Sequence, residues 1–565
     1  MNDSGHQASD PTAIDLEQLR QRAEQWLADD PDPGSQAELG ALIDQLPATA
    51  AELADRFAGP LTFGTAGLRG PMRAGPNGMN LAVVRQAAAG LVAWLRERDG
   101  HRPLVIGYDA RHQSRAFAEE TARVAAGAGR PALLLPRALP TPVLAHAVRL
   151  LDACAGVMVT ASHNPPRDNG YKVYLGAGLG GPGGDGAQIV PPADTGIEAA
   201  IRAVGPLSAV PLRGDYSTLD DSIVDSYVEQ AVAVLDAGAV TPEQRAALRV
   251  AYTPLHGVGA SVLTTAFARA GFAPPTVVAE QAEPDPDFPT VAFPNPEEPG
   301  AMDLVLRTAV QAGADIAIAN DPDADRCAVA IPDPPGWRRL HGDEVGILLA
   351  DHLIRRGVSG CYATTIVSSS MLRALTAARG VDYAETLTGF KWIVRADPHR
   401  LAFGYEEALG YCVAPHHVRD KDGITAALLV AELAAGLKAQ GRTLADRLDD
   451  LAREFGVYAT DQISVRVQSL GSIAEMMALL RAKPPASLLD EPVVSTEDRA
   501  PDADVLTFRT ATARVVVRPS GTEPKLKIYL EVREPVAGDD VAAARDRARA
   551  ALAALGTEIG TLLGL

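Results

Sequence analysis

The sequence predicts an α/β protein of several domains, and three observations lead to that prediction. The chain has 565 residues, whereas a single hydrophobic core rarely serves more than about 250–300 residues. Units made of an apolar strand, a polar or glycine-containing loop and a helix begin at residues 103, 249 and 361. From residue 457 onwards, strands are followed by one final helix. We therefore predict three related α/β domains with parallel, helix-covered sheets and a smaller C-terminal α+β domain.

The elements follow one another in a regular order. Residues 14–29 place apolar side chains at helical spacing, and the stop signal "DPDPGS" follows them. The repeated units open with the strands "PLVIGY", "RVAYT" and "CYATTI", and the last region contains "DQISVRV", "TARVVVRP" and "KLKIYLEVRE". Residues 482–504 form the most loop-like interior segment, which we expect to join elements of the last region. The predicted regions are a helical extension (1–60), three α/β domains (61–210, 211–335 and 336–456) and an α+β domain (457–565).

Composition excludes several classes of function. The net charge of −19 argues against a nucleic-acid or acidic-membrane binder, although a small phosphorylated ligand needs only a local positive pocket. The sequence contains no run of about 18 apolar residues, so it predicts no membrane span. The N-terminus has no apolar signal-peptide segment. The four cysteines show no CxxC or zinc spacing, which fits a reducing cytosol. We therefore expect a cytoplasmic protein.

Three common enzyme motifs are missing or misplaced. The "GAGLGG" at residues 176–181 matches a dinucleotide fingerprint, but "PGGDGAQIVPP" follows it and cannot open the required helix. The sequence contains no Walker-type phosphate loop and no G-x-S-x-G elbow. These observations argue against a dinucleotide enzyme, a Walker-type ATPase and an α/β-hydrolase.

An acidic cluster stands at the end of a predicted strand. In "NDPDADRC", Asp321, Asp323 and Asp325 alternate, and in an extended loop that spacing sends all three carboxylates to one side. Three adjacent carboxylates repel one another unless a cation lies among them, and oxygen ligands suit Mg²⁺ or Ca²⁺. An EF-hand is excluded because Arg326 and Pro332 occupy its glycine and glutamate positions. The alternative is a solvated acidic turn.

A serine stands at the end of another predicted strand, in "VTASHNPPRDNGYKVY". On its own, Ser162 is better explained as a helix cap or as the residue that closes a turn. The adjacent His163 does not make a catalytic triad, because triad geometry comes from distant segments. In open α/β sheets, however, ligands collect beyond the carboxyl ends of strands, where both Ser162 and the aspartates are expected. That placement favours a functional serine.

A third segment, "VVVRPSGTEPKLKIY", links two predicted strands. Arginine grips phosphate bidentately, hydroxyls donate to it, and glycine lets backbone N–H groups approach an anion. The residues that offer these groups are Arg518, Ser520, Gly521, Thr522 and Lys525. The alternative is a hairpin loop with a solvated arginine.

Three further segments are weaker candidates. Arg69 stands in the glycine-rich "FGTAGLRG", Glu406 and Glu407 stand in "GYEEALGY", and Lys391 stands between aromatic residues in "LTGFKWI". Paired acids beside glycines can hold sugar hydroxyls, and the two cations can meet phosphate. Each also has a simpler reading as an exposed turn residue or as a lysine whose stem covers apolar surface.

Taken together, these segments resemble the α-D-phosphohexomutase superfamily, which includes phosphoglucomutases and phosphomannomutases. The resemblance rests on "GTAGLRG", "TASHNPPRDNGYKVY", "DPDADR", "TGFKW", "YEEALGY" with "RDKDGI", and "RPSGTEPK", in that order. It covers residues from about 62 to 530 and the full set is specific. It implies four domains around a central cleft, of which the first three are related α/β domains with mixed sheets.

The resemblance also implies a role for each motif. Ser162 is the expected phosphoserine, and Asp321, Asp323 and Asp325 with an oxygen at Ser162 are the expected Mg²⁺ ligands. Glu406 and Gly389 match sugar contacts, and Arg326 matches a substrate contact. Arg518, Ser520, Gly521 and Thr522 match the loop that holds the non-reacting phosphate. The residues matched to acid–base and charge-stabilising positions near the transferred group are Arg69, His163, Lys172 and Lys391.

The sequence departs from the family pattern at two places. Many hexomutases have a serine where this chain has Ala408, and the bacterial phosphomannomutase/phosphoglucomutase type has a histidine where it has Tyr411. The helical extension and "YEEALGY" look more like the longer branch that includes phosphoglucomutase-2 and phosphopentomutase proteins. One sugar contact and the choice among glucose, mannose and pentose therefore stay open.

The resemblance implies a Mg²⁺-dependent isomerase that interconverts hexose 1-phosphate and hexose 6-phosphate, with glucose 1,6-bisphosphate as activator and intermediate. We expect a small sugar phosphate as its partner, no nucleic acid or membrane, and a monomer or homodimer. The alternatives are a phosphopentomutase or sugar-bisphosphate synthase, a phosphatase acting through Ser162, and a non-catalytic sugar-phosphate binder. The second phosphate loop argues against simple hydrolysis.

Overall fold

The computed structural model describes residues 15–64, 67–466, 470–520 and 525–564. Near its start, three helices pack together around Leu19, Leu39, Leu53 and Phe57. Asp15 and Asp32 cap the first two helices with their carboxylates, as expected for acidic residues at helix starts. The predicted first helix is confirmed. The three helices are Leu16–Asp29, Pro33–Asp44 and Ala50–Arg56.

The first large sheet has a parallel centre and an antiparallel edge. Its strands, in spatial order, are Leu68–Pro71, Asp168–Leu175, Ala155–Val159, Leu104–Tyr108, Ala132–Leu134 and Ser217–Thr218, with Ala187–Gln188 paired to the second. The pairings of Leu104–Tyr108 are parallel, whereas Asp168–Leu175 runs antiparallel to its neighbours. The helices around this sheet are Leu81–Arg96, Ser114–Gly127, Thr141–Leu150 and Ala193–Arg202, with a 3₁₀ turn at Leu207–Ala209.

The second sheet repeats this plan. Its strands, in spatial order, are Gly336–Arg339, Ala328–Asp333, Ile316–Ala319, Val250–Thr253 and Thr276–Val277. Val250–Thr253 pairs in parallel on both sides, and the pairing of Ile316–Ala319 with Ala328–Asp333 is antiparallel. Its helices are Ser222–Val232, Pro242–Ala247, Gly259–Arg269 and Asp303–Ala312, with a 3₁₀ turn at Ala279–Gln281.

The third sheet has the same arrangement with four strands. In spatial order these are Asp382–Thr386, Cys361–Thr365, Leu401–Glu406 and Gly410–Cys412. Cys361–Thr365 pairs in parallel on both sides, and the last two strands are antiparallel. The accompanying helices are Gly342–Arg355, Met371–Arg379, Phe390–Ile393, Gly423–Lys438 and Leu444–Phe455.

The C-terminal sheet is antiparallel throughout. Its strands, in spatial order, are Val457–Arg466, Lys525–Glu534, Ala513–Pro519, Leu506–Arg509 and Ser495–Asp498. Two helices, Leu470–Ala482 and Val541–Leu563, accompany it. The segment 482–504 is not purely a loop, because it contributes the edge strand Ser495–Asp498 and the small hairpin Ser487–Leu488 with Glu491–Pro492. The predicted fold class, three α/β units and one α+β unit, is confirmed.

The three α/β sheets are mixed, as the resemblance implies, because one edge of each parallel centre carries an antiparallel strand. There, a strand of the parallel centre is joined to its neighbour by a connection of three to eight residues. So short a connection permits only an antiparallel return, since a parallel crossover needs a dozen or more residues. The residues of these connections are 160–167, 320–327 and 407–409. Each contains one non-glycine residue at positive φ, namely Ser162, Ala324 and Leu409.

The three α/β units share one core, and the C-terminal unit has its own. Leu144, Phe267 and Phe403, one from each α/β unit, belong to a single continuous cluster of buried apolar side chains. The C-terminal cluster centres on Val515 and Ile528. None of the helices that the structure describes is both long and apolar enough to span a lipid bilayer.

Candidate active site

The loop that carries Ser162 turns sharply between two buried strands. Ser162 has φ +53°, and no helix begins after it, so the helix-cap reading does not apply. Its backbone N–H donates to Thr160 Oγ1 at 2.8 Å. The Ser162 hydroxyl donates to Asp321 Oδ2 at 2.6 Å and lies 3.2 Å from His163 Nδ1. The serine of the first sheet therefore meets the acidic loop of the second.

The three aspartates converge in a fully buried cluster. Each offers a carboxylate oxygen within 4.8 Å of the others. The loop is a tight turn with Ala324 at φ +54°, and not the extended segment that the alternating pattern predicts. Among the described residues, one oxygen each of Asp323 and Asp325 is buried without a hydrogen-bond donor. Unpaired carboxylate oxygens beside a serine hydroxyl fit a hard divalent cation such as Mg²⁺.

The electrostatics of the cluster point the same way. Burial, together with the charges of Asp323 and Asp325, holds the pKa of the Asp321 carboxyl well above its usual range. Burial also acts against ionisation of Asp323 and Asp325, but their partners together lower both pKa values. Lys172 acts on both carboxylates, with Thr141 at Asp323 and with Lys421 and Arg326 at Asp325. Asp321 is therefore the carboxyl that resists ionisation, and a bound cation would favour its charged form.

Two lysines reach the aspartates from different sheets. Lys172, on strand Asp168–Leu175, places Nζ 2.8 Å from Asp323 Oδ2 and 2.9 Å from Asp325 Oδ2. Lys421 places Nζ 3.2 Å from Asp325 Oδ2. Burial opposes the charge on Lys172, but the two aspartates raise its pKa, so it stays a cation. Lys172 thus acts as a fixed positive charge in this arrangement.

The buried position of Lys172 predicts a large stability effect. We expect Lys172→Met to lower the free energy of unfolding by about 3 kcal/mol in EDTA, because it leaves the buried Asp323 without its lysine and Asp325 with Lys421 alone. Saturating Mg²⁺ should reduce that loss by supplying positive charge at the same place. Denaturant titrations with and without Mg²⁺ measure both quantities.

Lys438 provides a matched control, since its Nζ lies 2.6 Å from Asp315 Oδ2 on a surface where the lysine side chain is 37% exposed. Lys438→Met should cost less than about 1 kcal/mol in either solution. Equal losses for Lys172→Met with and without Mg²⁺ would contradict a shared site for the lysine and the metal.

Further cations surround the serine. Arg326 lies 3.9 Å from Asp321 Oδ2, 4.0 Å from Asp325 Oδ1 and 3.7 Å from Glu297 Oε2. Arg69 donates to Asn164 Oδ1 at 2.9 Å, beside the serine loop. Burial and these two arginines lower the pKa of His163 well below its usual range. The imidazole is therefore neutral at neutral pH, and the same surroundings disfavour its protonation.

Arg69 is held in place by a close approach of two backbones. Its strand, Leu68–Pro71, pairs with Asp168–Leu175, and Arg69 lies opposite Gly170. Gly67 precedes it at φ +90°, and a Cβ there would lie 2.4 Å from the Tyr171 carbonyl oxygen. Only glycine fits such a position. The residues 65 and 66 of the same motif lie outside the described part of the chain.

The third sheet contributes the predicted sugar-binding residues. Glu406 ends strand Leu401–Glu406, and its Oε1 accepts the Gly389 N–H at 3.1 Å. The adjacent Glu407 accepts the Ser368 hydroxyl at 2.8 Å. Tyr411 is fully buried and donates to the Gly342 carbonyl, so it belongs to the core. The bacterial phosphomannomutase/phosphoglucomutase type has a histidine at this position, whereas this chain has a residue that packs in the core.

Lys391, which the resemblance places near the transferred group, lies apart from the aspartate cluster. It lies on the short helix Phe390–Ile393, next to Gly389. Burial lowers its pKa, and the charges that act on it are those of Asp194 and Arg395. Within the described residues its ammonium has no hydrogen bond or ion pair to the aspartates. The carboxylate that acts on it, Asp194, belongs to helix Ala193–Arg202 of the first unit.

The predicted phosphate loop connects strands Ala513–Pro519 and Lys525–Glu534. The Arg518 guanidinium lies over the Tyr529 ring at 6.0 Å, and its buried Nε has no partner among the described residues. The Ser520 N–H donates to the Lys525 carbonyl at 2.7 Å, which closes the base of the loop. Gly521 and Thr522, which were also predicted to bind phosphate, lie outside the described residues.

Several site residues have no signal in the sequence that singles them out. Thr141 donates from Oγ1 to Asp323 Oδ2 at 2.6 Å, and the start of its own helix brings it there. Lys421 lies in the segment "RDKDGI", which carries part of the family resemblance but does not single out this lysine. Burial and the nearby Arg518 lower the pKa of Lys527, which faces Glu407 and Glu297. Arg518 and Lys527 together make the positive patch that an anion requires.

Comparison with known protein families agrees with this geometry. Four models of the phosphoglucomutase/phosphomannomutase family match in order along the chain. The alpha/beta/alpha domains I, II and III match residues 60–205, 225–336 and 341–455, and the C-terminal domain matches 463–548. The matches therefore cover most of the chain and all four sheets.

Individual relatives give the same picture. The Haemophilus influenzae protein named "Probable phosphomannomutase" is 47% identical over 480 residues, covering 83% of this chain and 96% of that protein. The phosphopentomutase of Mus musculus is 34% identical over 581 residues, covering 92% of this chain and 91% of that protein. The crystal structure of a Thermus thermophilus protein, provisionally named a phosphomannomutase, superposes with a TM-score of 0.67 at 27% identity, covering 87% and 98% of the two chains. The chain belongs to the phosphoglucomutase/phosphomannomutase family.

Proposed function

We propose that the protein interconverts hexose 1-phosphate and hexose 6-phosphate through a phosphorylated Ser162. The observation that carries this proposal is the 2.6 Å hydrogen bond from the Ser162 hydroxyl to Asp321 inside a buried cluster of three aspartates. A serine in a solvated turn has no need of such a partner. The family membership of the chain supports an isomerase of this kind.

In the proposed reaction, phospho-Ser162 gives its phosphoryl group to the free hydroxyl of a sugar monophosphate. The bond from phosphorus to Ser162 Oγ breaks, and a bond from phosphorus to the sugar oxygen forms. The sugar 1,6-bisphosphate turns over in the site, and its other phosphate then returns to Ser162. The hydroxyl proton passes to a nearby base. His163 is the candidate because its Nδ1 lies 3.2 Å from Ser162 Oγ, and the negative phosphate that it would face offsets the surroundings that disfavour its protonation.

The aspartates are proposed to hold Mg²⁺ together with an oxygen at Ser162. When bound there, Mg²⁺ neutralises negative charge that spreads over the transferred phosphoryl group. Lys172, Arg326 and Arg69 contribute fixed positive charge around the same point. These contributions come from the chain itself and require no rearrangement during the reaction.

The other two loops are proposed to position the substrate. Glu406 accepts hydrogen bonds from sugar hydroxyls with the carboxylate that the Gly389 N–H holds in place, while Arg518, Ser520, Gly521 and Thr522 hold the phosphate that does not react. Lys527 adds a second cation to that loop. Because either phosphate of the bisphosphate must occupy it, the loop should read charge and not sugar identity. Lys391 is proposed to act on the sugar side of the site.

The second candidate is a phosphopentomutase, and one observation favours it. The Mus musculus phosphopentomutase aligns over 92% of this chain, compared with 83% for the Haemophilus influenzae protein. A hexose preference is favoured by the higher identity to the Haemophilus influenzae protein. A bisphosphate synthase would use the same serine and metal cluster.

A cytoplasmic location is proposed as well. The four cysteines are all buried free thiols, which supports it.

One assay distinguishes these functions. The Mg²⁺-loaded protein is incubated separately with the α-1-phosphates of glucose, mannose and ribose, each with glucose 1,6-bisphosphate, and both the isomer and free phosphate are followed. We expect glucose 6-phosphate with little free phosphate, and slower reaction of the other two sugars. Free phosphate without isomer would indicate a phosphatase and refute the mutase. A faster reaction of ribose 1-phosphate would establish the pentose alternative.

A further inference from the structure

Arg111 lies directly behind the serine loop, and no motif in the sequence points to it. It follows strand Leu104–Tyr108, and its side chain is 1% exposed. Its guanidinium donates four hydrogen bonds to backbone carbonyls of the segment that carries Ser162. The acceptors are the carbonyl oxygens of Ser162 (2.6 Å), Asn164 (2.6 Å), Pro165 (2.8 Å) and Asp168 (3.2 Å).

Asp109 holds this arginine and the serine loop together. Its carboxylate accepts the Arg111 backbone N–H at 3.0 Å and lies 3.4 Å from Arg111 Nε. It also accepts the Thr160 hydroxyl at 2.6 Å, and Thr160 Oγ1 in turn accepts the Ser162 N–H at 2.8 Å. Both sides of the Ser162 backbone are thus fixed to one buried ion pair.

A residue of the second α/β unit contacts the same guanidinium. The ring of Phe288, from the long loop before helix Asp303–Ala312, lies 4.9 Å from Arg111 Cζ. The aspartate turn belongs to the same unit as Phe288, whereas Ser162 belongs to the unit of Arg111. Arg111 therefore touches both of the units whose alignment sets the distance between Ser162 Oγ and Asp321.

The conformation of Ser162 needs such support. A φ of +53° is strained for a serine and persists only where the surroundings enforce it. Four carbonyl oxygens of one short segment also repel one another unless a common donor binds them. A single planar guanidinium, which offers five N–H groups in a fixed geometry, meets this requirement, and a lysine ammonium does so only in part.

We propose that Arg111 is a positioning residue for phosphoryl transfer, which holds Ser162 Oγ against the aspartate cluster without touching the transferred group. This inference rests on the proposed role of Ser162. A displacement of the attacking or leaving oxygen by about 1 Å costs about a hundredfold in rate. The predicted signature is a loss in kcat with little change in KM, because the phosphate and sugar loops of the other sheets are unaffected.

Arg130 provides a matched control for the experiment. It is buried to a similar extent in the same unit, and it donates to the carbonyls of Asp99 and Arg102. Those residues lie before strand Leu104–Tyr108, at the end of the sheet opposite Ser162. Arg130→Met therefore removes the same chemical group from an equivalent carbonyl cradle, far from the reaction.

The test compares wild type, Arg111→Met and Arg130→Met for glucose 1-phosphate isomerisation, thermal unfolding and the rate at which glucose 1,6-bisphosphate phosphorylates Ser162. We expect Arg111→Met to lower kcat and the phosphorylation rate about a hundredfold while KM changes by less than about threefold. Arg130→Met should keep kcat within about threefold of wild type despite a similar fall in melting temperature. Arg111→Lys, which retains charge but binds fewer carbonyls, should show an intermediate loss and replaces Arg111→Met if that variant does not fold.

A folded Arg111 variant with the kcat of wild type would overturn the inference. So would equal losses of kcat in the Arg111 and Arg130 variants, since these would show a general effect on the fold. An inactive wild-type protein would instead refute the proposed function, and the inference with it. The wild-type control therefore separates the two failures.

Discussion

Replacing Ser162 with alanine is expected to lower the rate of hexose phosphate interconversion by at least about 10⁴-fold. The substitution removes the atom that is proposed to carry the phosphoryl group between the two half-reactions. Its effect on the fold should be small, because the hydroxyl donates one hydrogen bond, to Asp321. A coupled assay for glucose 6-phosphate, with glucose 1,6-bisphosphate present, measures the loss.

Ser226 supplies the control for this substitution. Its hydroxyl also contacts a histidine, with Oγ 3.2 Å from His146 Nε2, but it lies outside the aspartate cluster. Ser226→Ala should keep wild-type activity, while Ser162→Ala loses it with a similar melting temperature. Turnover by Ser162→Ala within tenfold of wild type would rule out Ser162 as the carrier.

The second large effect is expected at the aspartate cluster. Asp321→Asn should abolish the stabilisation of the protein by Mg²⁺, which in wild type amounts to about 2.7 kcal/mol at a concentration one hundred times the dissociation constant. It should also lower activity about a thousandfold, because Mg²⁺ supplies several kcal/mol of transition-state stabilisation. Thermal unfolding with Mg²⁺ and with EDTA measures the first effect without reference to activity.

The raised pKa of Asp321 adds a pH dependence with a definite sign. A carboxyl whose pKa is higher in the folded than in the unfolded protein favours folding below its unfolded pKa, and this contribution is lost as pH rises through the folded pKa. The metal-free protein should therefore lose stability with rising pH over that range. Mg²⁺ competes with the same proton, so its stabilising effect should grow with pH.

Asp351 is a suitable control, since it is a buried carboxylate held by Arg447 at 2.7 and 2.9 Å away from the cluster. Asp351→Asn should lower stability but retain the full gain from Mg²⁺. An Asp321→Asn protein that still gains stability from Mg²⁺ as wild type does would place the metal elsewhere.

Much of the fold was predictable because its strands and helices are encoded locally. The units that begin near residues 103, 249 and 361 each carry a buried strand and an amphipathic helix, and each forms as predicted. The strand-loop-helix pattern alone indicated parallel sheets, and the mixed sheets were implied only by the family resemblance, since strand direction depends on the length of the connection and not on the pattern of a strand. The sequence pattern also did not predict short edge strands such as Ser495–Asp498, because their pairing depends on a partner strand that is already in place.

The candidate site shows the same division. Motifs marked Ser162, the three aspartates and Arg518 by residue type and position, and the structure brings the serine and the aspartates into contact. Thr141, Lys421 and Arg111 owe their places to contacts made by distant segments, so their identities alone carry no signal. The alternating aspartates converge through a turn at Ala324, which their spacing did not indicate.

The central claim is that Ser162 carries the phosphoryl group, and one measurement tests it most directly. The Mg²⁺-loaded protein is mixed with glucose 1,6-bisphosphate labelled in its phosphates, the peptide containing Ser162 is isolated, and the label is then chased with unlabelled glucose 1-phosphate. We predict that the label appears on Ser162 and moves into sugar phosphate at least as fast as the steady-state turnover. Isomerisation that proceeds while Ser162 stays unlabelled, or while its label is not chased, would contradict the account.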